Sequence, residues 1–325
     1  MKAQAIRIHA TGGPDVLRLE SVEVGAPGPG EALLRQSAVG LNYIDTYHRT
    51  GLYPLALPAV LGLEAAGVVE AIGPGVTEVA PGDRVAYAAP PLGAYATARL
   101  MQADRLVKLP AAVDEISAAA TLLKGLTAWF LLHRTHRVER GDTILVSAAA
   151  GGVGLLLIQW ARHLGATVIG TVGSVAKAEL VKAHGCDHAI IYGEEDVAAR
   201  VRELTGGAGV AVVYDSVGAA TFAASLDCLA PMGTMVSFGN ASGPPPAIAP
   251  GLLAQKGSLF LTRPSLMDYT RARADLVAGA EALFAVLVQG AVEVRTISTR
   301  PLADAAAAHA DLEARRTTGS TVLIP

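Results

Sequence analysis

Between Gly141 and Arg162 the chain reads Gly-Asp-Thr-Ile-Leu-Val-Ser-Ala-Ala-Ala-Gly-Gly-Val-Gly-Leu-Leu-Leu-Ile-Gln-Trp-Ala-Arg. An apolar, β-prone run (Thr143 to Ser147) meets a turn of small residues (Ala148 to Gly154), and a helix-prone segment follows from Leu155 to Leu164. Strand, glycine-rich turn and helix in that order suit an anion. Glycines let the backbone come close, and the first N–H groups of a helix have no intrahelical partner and face it. A dinucleotide pyrophosphate is the usual occupant of such a turn. The first glycine of the usual fingerprint is replaced by Ala149, and an ordinary tight strand-to-helix turn could use the same residues.

The next strand supplies a second chemical cue. In an NAD site an acidic residue about 20 positions past the glycines holds the ribose hydroxyls. Here that strand ends in Gly170-Thr171-Val172-Gly173-Ser174 without a carboxylate, and Lys177 follows three residues on. A carboxylate would repel a 2′-phosphate, whereas Ser174, a helix start and Lys177 would hold one. Tyr192, ending the third strand of this region, adds a hydroxyl. A solvated helix lysine is the bland alternative for Lys177. The missing acid beside it favours NADPH over NADH.

Two kinds of sequence texture surround these residues. Residues 1 to about 123 are β-rich, with short alternating runs (Ala3 to Ile8, Glu31 to Val39, Ala66 to Ile72) between Gly and Pro turns, which suits a barrel-like domain. A helix starts near Ser117 and passes Trp129. From about 141, β and α alternate. Strands are expected at Thr143–Ser147, Thr167–Thr171, Ala189–Tyr192, Val210–Asp215, Thr234–Phe238 and Ser258–Thr262, with helices such as Val175–His184 and Ala219–Leu229 between them. The fold class is therefore α/β, with a Rossmann-like doubly wound parallel sheet beside the β-rich domain. A Pro-rich loop spans Asn240 to Gly251. Beyond it come a helix near Arg273–Gln289, a strand at Val292–Ile297, a helix from Pro301 to Arg315 and a last strand at Thr321–Ile324. This tail returns to the first domain, dividing the chain into 1–123 with 265–325, and 124–264.

Size and composition agree with a two-domain globular protein: 325 residues, 51% hydrophobic and only 17% charged. A net charge of −3 without a basic block speaks against nucleic acid or an anionic membrane as partner. The two cysteines, Cys186 and Cys228, have no metal-binding spacing and read as reduced cytosolic thiols. No apolar signal core opens the chain, so a cytoplasmic location is expected. The charge-free stretch Ile144 to Ala161 has the length of a membrane span, but its glycines and strand-like first part favour a buried strand and helix.

Further stretches carry a resemblance. They are Gly40-Leu41-Asn42-Tyr43-Ile44-Asp45, Leu61-Gly62-Leu63-Glu64-Ala65-Ala66-Gly67 running on to Gly82-Asp83-Arg84-Val85, Lys124-Gly125-Leu126-Thr127, Tyr214-Asp215-Ser216-Val217-Gly218 and Val236-Ser237-Phe238-Gly239-Asn240. With the glycine turn, they resemble the medium-chain dehydrogenase/reductases, and most closely the quinone oxidoreductase (ζ-crystallin-like) branch. The resemblance covers nearly the whole chain. It implies a GroES-like first domain and a Rossmann NADPH-binding second domain, with the active site in a cleft between them. Zinc-dependent relatives place a cysteine where this chain has Asn42 and a histidine where it has Leu63; leucine cannot ligate, and a neutral amide is a poor zinc ligand. Residues 86–105 also hold no cysteine for a structural zinc lobe. His133 with His136, and Cys186 with His188, are local pairs without further partners. A metal-free enzyme is expected.

Without zinc to stabilise an alkoxide, the acceptors of choice are those whose hydride adduct is already delocalised: quinones first, activated enones and enals next. The protein then mainly holds nicotinamide and acceptor together. By resemblance, Asn42, Asp45, Tyr47, Lys124, Thr127, Phe238 and Gly239 border the nicotinamide, and Gly152 and Val153 meet the pyrophosphate. Gly173, Ser174, Lys177 and Tyr192 hold the adenosine phosphate, with Arg263 and Arg315 as further additions. Asn42, Tyr47 and Tyr53 line the substrate side, the two tyrosines as donors to a quinone oxygen; tyrosines packed at a domain boundary are the equal alternative. Asp45 and Asp215 could also be local hydrogen-bond partners. The leading expectation is a zinc-independent NADPH:quinone oxidoreductase. An NADPH-dependent enone reductase and a non-catalytic NADPH-binding protein are the alternatives. A homodimer is expected through the apolar edge strand Gly257–Thr262.

Overall fold

A computed structural model describes residues 1–294 and 297–325. Two units are distinguished by their internal contacts: Met1–Lys124 with Ala272–Val288 and Val294–Pro325, and Gly125–Arg271 with Gln289–Glu293. The first unit opens with β1 (Lys2–Ile8), β2 (Arg18–Glu23), β3 (Glu31–Leu41), α1 (Tyr43–Thr50), β4 (Ala59–Val60), β5 (Glu64–Ile72), β6 (Arg84–Ala88), β7 (Ala98–Gln102) and β8 (Val107–Lys108). Helix α2 (Glu115–Phe130) carries the boundary between the units. Asp114 starts it by accepting the backbone N–H and the hydroxyl of Ser117, each at 2.8 Å.

The second unit holds β9 (Thr143–Val146), α3 (Gly152–Leu164), β10 (Thr167–Val172), α4 (Val175–Ala183), β11 (His188–Ile191), α5 (Val197–Leu204), β12 (Val210–Asp215), α6 (Phe222–Cys228), β13 (Leu229–Ser237), α7 (Gly251–Gln255), β14 (Phe260–Thr262) and α8 (Leu266–Tyr269). The chain then returns to the first unit with α9 (Arg273–Val288), β15 (Ile297–Pro301), α10 (Ala305–Glu313) and β16 (Ser320–Ile324).

In the first unit, alternating strands build a three-stranded sheet, β2-β1-β4, and a larger one, β15-β16-β3-β5-β6-β8, with β7 also on β3. Their inward side chains, among them Ile6, Ile8, Leu34, Val69, Val85, Tyr87 and Leu323, form one core. In the second unit six parallel strands run in the order β11-β10-β9-β12-β13-β14. This is the doubly wound order of dinucleotide-binding folds, with its switch point between β9 and β12. Strands buried on both faces need unbroken apolar runs, and Leu145, Ile169, Ile190, Val213 and Met235 supply them.

The structure moves several sequence-based boundaries. Helix α3 begins at Gly152, three residues before Leu155, so the glycines form its first turn. The expected strand Val292–Ile297 falls partly on residues 295 and 296, which lie outside the described residues; β15 starts at Ile297 and runs on to Pro301. Helix α10 begins at Ala305, because Leu302–Asp304 first makes a tighter turn. The division at 264/265 shifts to 271/272, since Tyr269 of α8 stacks on Phe130 with ring centroids 4.6 Å apart, and both belong to the second unit. Gln289–Glu293 joins that unit too: Gln159 donates to the Glu293 carbonyl at 3.2 Å and accepts its N–H at 2.9 Å.

Ile144 to Ala161 resolves into β9, the turn and α3. Glu115–Thr135 is the one helical stretch among the described residues long and apolar enough to cross a membrane; 78% of that stretch's apolar window is buried inside the protein, as in a core helix. Cys186 and Cys228 are free, buried thiols, pushed up by burial to about 11 and about 12.

Candidate active site

The residues expected to meet phosphate gather at the carboxyl ends of the parallel strands. After β9 the chain turns sharply: Ala148 takes φ +48°, a left-handed conformation that costs a non-glycine residue about 1 kcal/mol. The N–H of Ala149 donates to the Thr171 carbonyl at 3.0 Å, which ties the turn to β10. A Cβ on Gly154 would lie 2.5 Å from the Ala149 carbonyl oxygen and 2.7 Å from that of Ala148, so only glycine lets α3 start this close to the turn. Gly152 and Val153 thus occupy the first turn of α3, where N–H groups point outward to an anion.

One strand over, β10 ends at Gly173, and Ser174 caps α4 by accepting the Lys177 N–H at 3.4 Å. Tyr192 follows β11 and is 49% exposed. A Cβ on Gly173 would lie 2.5 Å from the Tyr192 hydroxyl, so the phenol leans over the glycine. Gly173, Ser174, Lys177 and Tyr192 therefore share one corner without a carboxylate at the end of β10, and this corner fits a phosphorylated ribose. Arg263 is not brought to it. It follows β14, with β9, β12 and β13 lying between that strand and β10, a separation of about 19 Å at normal strand spacing. Arg315 lies in the first unit, where its charge acts on Tyr43.

At the switch point, Asp215 is fully buried. Its Oδ1 accepts the N–H groups of Val217 (2.7 Å) and Gly218 (3.1 Å), and its Oδ2 accepts the hydroxyls of Thr221 (2.7 Å) and Ser225 (2.8 Å). With Ser147 donating at 3.4 Å, Asp215 is the local structural partner that the sequence left open. It braces the segment where Phe238 and Gly239 donate their N–H groups to the Asp215 carbonyl at 2.8 and 3.3 Å. A Cβ on Gly239 would fall 2.3 Å from the Ser216 carbonyl oxygen.

The first unit holds a buried polar cluster. Asn42 caps α1, and its side-chain amide donates to Glu64 Oε2 at 2.8 Å. Glu64 Oε1 accepts the Leu123 N–H at 2.6 Å, and Lys124 Nζ stands 3.4 Å from Oε2. Gly40 makes room for this carboxylate, since a Cβ there would lie 2.3 Å from Oε2. Burial raises Glu64 above the ordinary carboxylate range, while the Lys124 ammonium pulls it back. Thr127 lies one turn further along α2, already in the second unit, and is buried.

Asp45 requires a correction. The resemblance put it beside the nicotinamide, yet its side chain is fully buried, and one oxygen, Oδ2, accepts both the Asn42 N–H and the Tyr95 hydroxyl at 2.9 Å. Its side chain bonds to Asn42 and Tyr95 and is closed to solvent. Burial pushes its carboxyl up to about 7, against the pull of those donors and of Lys124. Tyr43 and Tyr47 of α1 and Tyr53 just beyond it form an edge-to-face ladder, with centroids 5.5 Å and 5.3 Å apart. Tyr47 and Tyr53 are half-buried and held together by the Tyr53 N–H on the Tyr47 carbonyl at 3.1 Å. Glu64, Tyr95 and His309 were not singled out from sequence; the only signal was a glutamate inside an apolar strand.

The residue chemistry does not suit zinc. Leu63 offers no donor, and the Asn42 amide is committed to Glu64. The local pairs are engaged elsewhere: His136 contacts Asp142 at 3.2 Å, His133 packs edge-on against Trp160, and the Cys186 thiol donates to the His188 carbonyl.

Residues 28–111 match the family described as alcohol dehydrogenase GroES-like domain, and residues 152–278 the family described as zinc-binding dehydrogenase. Fold and matches together define an oxidoreductase of the two-domain dehydrogenase class. A quinone oxidoreductase of Pseudomonas aeruginosa is 51% identical over 324 residues, covering 99% of this chain and 100% of that protein. A 2-haloacrylate reductase of a Burkholderia species is 49% identical over 325 residues, with 98% of each chain covered. The crystal structure of Escherichia coli quinone oxidoreductase complexed with NADPH is similar with a TM-score of 0.97 at 46% identity, covering 99% of this chain and 100% of that one. The chain belongs to the medium-chain dehydrogenase/reductases, in their quinone oxidoreductase branch.

Proposed function

We propose that the chain is a zinc-independent NADPH:quinone oxidoreductase. One observation carries the choice of acceptor. Where a zinc enzyme of this superfamily would polarise an oxygen, the side-chain amide of Asn42 is bound to Glu64 instead. An acceptor that needs no Lewis acid suits such a site, and a quinone, whose reduced form delocalises its charge, suits it best.

NADPH, when bound, supplies the hydride. The first turn of α3 at Gly152 and Val153 holds its pyrophosphate, and Ser174, Lys177 and Tyr192 hold the 2′-phosphate by charge and hydrogen bonds. Asn42, Lys124 and Thr127 orient the nicotinamide end. The Tyr47 and Tyr53 hydroxyls donate to the acceptor oxygen as negative charge builds there.

The Burkholderia relative favours a second reading, reduction of an activated alkene on the same frame. A steady-state panel tests both: quinones, enones and a 2-haloacrylate, each with NADPH and NADH, with and without a chelator. Quinone turnover with NADPH that survives chelation is the expected result. Faster alkene reduction favours the second reading, and tight NADPH binding without oxidation by any acceptor overturns both.

We also propose a homodimer in the cytoplasm, formed through β14. That strand ends the six-stranded sheet with Phe260 63% and Leu261 38% exposed, an apolar edge suited to a second copy.

A further inference from the structure

A file of buried polar groups runs through the first unit to Asn42. Arg49, 1% exposed, donates from Nε to the Gly12 carbonyl at 3.0 Å and from Nη2 to Glu313 at 2.7 Å. Its Nη1 meets His309 Nδ1 at 3.1 Å; His309 Nε2 meets the Tyr95 hydroxyl at 3.0 Å, and that hydroxyl reaches Asp45 Oδ2 at 2.9 Å. The direction of every bond follows from Arg49. A guanidinium only donates, so His309 Nδ1 accepts and its proton sits on Nε2. Nε2–H then donates to the Tyr95 oxygen, which leaves the Tyr95 O–H to donate to Asp45. No link can be reversed without setting two donors or two acceptors face to face.

We infer that Tyr95 and His309 are positioning residues: through Asp45 they fix Asn42, and through Asn42 the Glu64–Lys124 pair. The inference rests on the proposed role of Asn42 and Lys124 at the nicotinamide end. The Asn42 N–H and the Tyr95 O–H converge on one Asp45 oxygen, so the charge of that carboxylate governs both bonds. The Asn42 side chain then transmits the cap geometry to Glu64 Oε2, 2.8 Å away.

The charges around Asp45 support this geometry. Tyr95 faces Asp45 from the loop before β7, Glu64 from β5 and Lys124 from α2, with His309 of α10 and Arg49 of α1 behind Tyr95. Lys124 and the two donors favour the ionised carboxylate; burial and Glu64 favour the neutral acid. Protonating Asp45 as pH falls weakens its hold on the Asn42 N–H. Removing the Tyr95 hydroxyl takes one donor from the carboxylate and moves that protonation to higher pH.

The test is a pH profile of kcat and KM for wild type, Tyr95→Phe, His309→Leu and His309→Gln, joined to a substrate-free measurement. Tyr95→Phe moves the acid limb of kcat/KM up by about one pH unit. Below the new limb kcat falls several-fold, and it recovers at higher pH. His309→Leu shifts the limb in the same direction, and His309→Gln, whose amide can still donate to Tyr95, restores most of it. Without acceptor or NADPH, the Asn42 backbone amide resonance of wild type titrates near neutral pH, and its hydrogen exchange is faster in Tyr95→Phe. Profiles that superimpose on wild type while only Tm falls overturn the inference, as does an Asn42 amide that does not titrate. The wild-type amide titration needs no variant and no acceptor, and the exchange measurement needs no acceptor. Failure of the proposed quinone activity therefore leaves both intact and is told apart from failure of the positioning role.

Discussion

The side-chain amide of Asn42 donates to Glu64 at 2.8 Å, and both residues are buried. The same carboxylate oxygen faces Lys124 at 3.4 Å. A buried pair of this kind contributes little net stability, but losing one member leaves the other charge uncompensated. Glu64→Gln should therefore destabilise the chain by about 3–5 kcal/mol, read as a lower urea midpoint. The double variant Glu64→Gln, Lys124→Met should recover most of it. Additive losses in that four-member cycle would show that the two charges are not coupled.

Two buried groups of the same unit should tilt stability with pH in opposite senses. Asp45 is held near 7 against an ordinary 3.8, so between those values the folded chain binds more protons, and stability falls as pH rises. His309 is held down to about 3 against 6.5, so the unfolded chain binds more protons there, and stability rises with pH. In wild type the two slopes offset over about pH 4 to 6.5. Asp45→Asn should expose the rising slope and His309→Gln the falling one, each on the order of 4 kcal/mol across the window. Urea denaturation at half-unit pH steps reads the slopes, and two variants tilting the same way would contradict the assignment.

The corner at Gly173 makes a prediction about coenzyme choice. Lys177→Ala should raise KM for NADPH about tenfold, the worth of one charge-assisted contact, and leave KM for NADH nearly unchanged. Ser174→Asp keeps a capping oxygen on α4 but adds repulsion, so it should lower the NADPH preference further. Equal effects on both coenzymes would place the 2′-phosphate elsewhere.

Two glycines of the proposed nucleotide site should differ in their tolerance of a methyl group. At Gly154 an added Cβ meets backbone carbonyls 2.5 and 2.7 Å away, which cannot swing aside. Gly154→Ala should lower Tm by several degrees and abolish measurable NADPH binding. At Gly173 the obstacle is the tip of the exposed Tyr192 side chain. Gly173→Ala should keep Tm and weaken NADPH binding only by displacing the phenol. Fluorescence titration with NADPH beside a thermal melt distinguishes the two, and equal melts would refute the contrast.

Phe260→Asp on β14 should yield a monomer by light scattering at micromolar concentration, because a charge on an apolar edge opposes strand pairing. A dimer surviving this change would have to use another surface.

The parallel sheet was legible because each of its strands is a local event: an apolar run, a turn and a helix, repeated. Even so, α3 starts three residues before Leu155, because Gly152 to Gly154 have the composition of a turn while the fold uses them as helix. The first unit's polar cluster was much less legible. Asn42, Glu64 and Lys124 are joined by bonds spanning 22 and 60 residues, and no periodicity announces them. His309 sits in an alanine-rich helix that reads as inert from sequence, and only the fold sets it against Tyr95, 214 residues earlier. The segment Gln289–Glu293 was likewise assigned by its texture to the wrong unit, because the Gln159–Glu293 bonds cross 134 residues. Arg263 reads as a spare cation for the adenosine phosphate, and only strand order sets three strands between its strand and that corner.

The two sulfurs have a consequence for durability. Quinones and activated alkenes alkylate exposed thiolates, so a catalyst that turns them over all day works in contact with its own poison. Cys186 and Cys228 are both buried and remain protonated far above neutral pH. The chain thus presents no ready soft nucleophile to the electrophiles it is proposed to reduce. Turnover of such acceptors should therefore leave both thiols unmodified, because the fold keeps its sulfur out of reach.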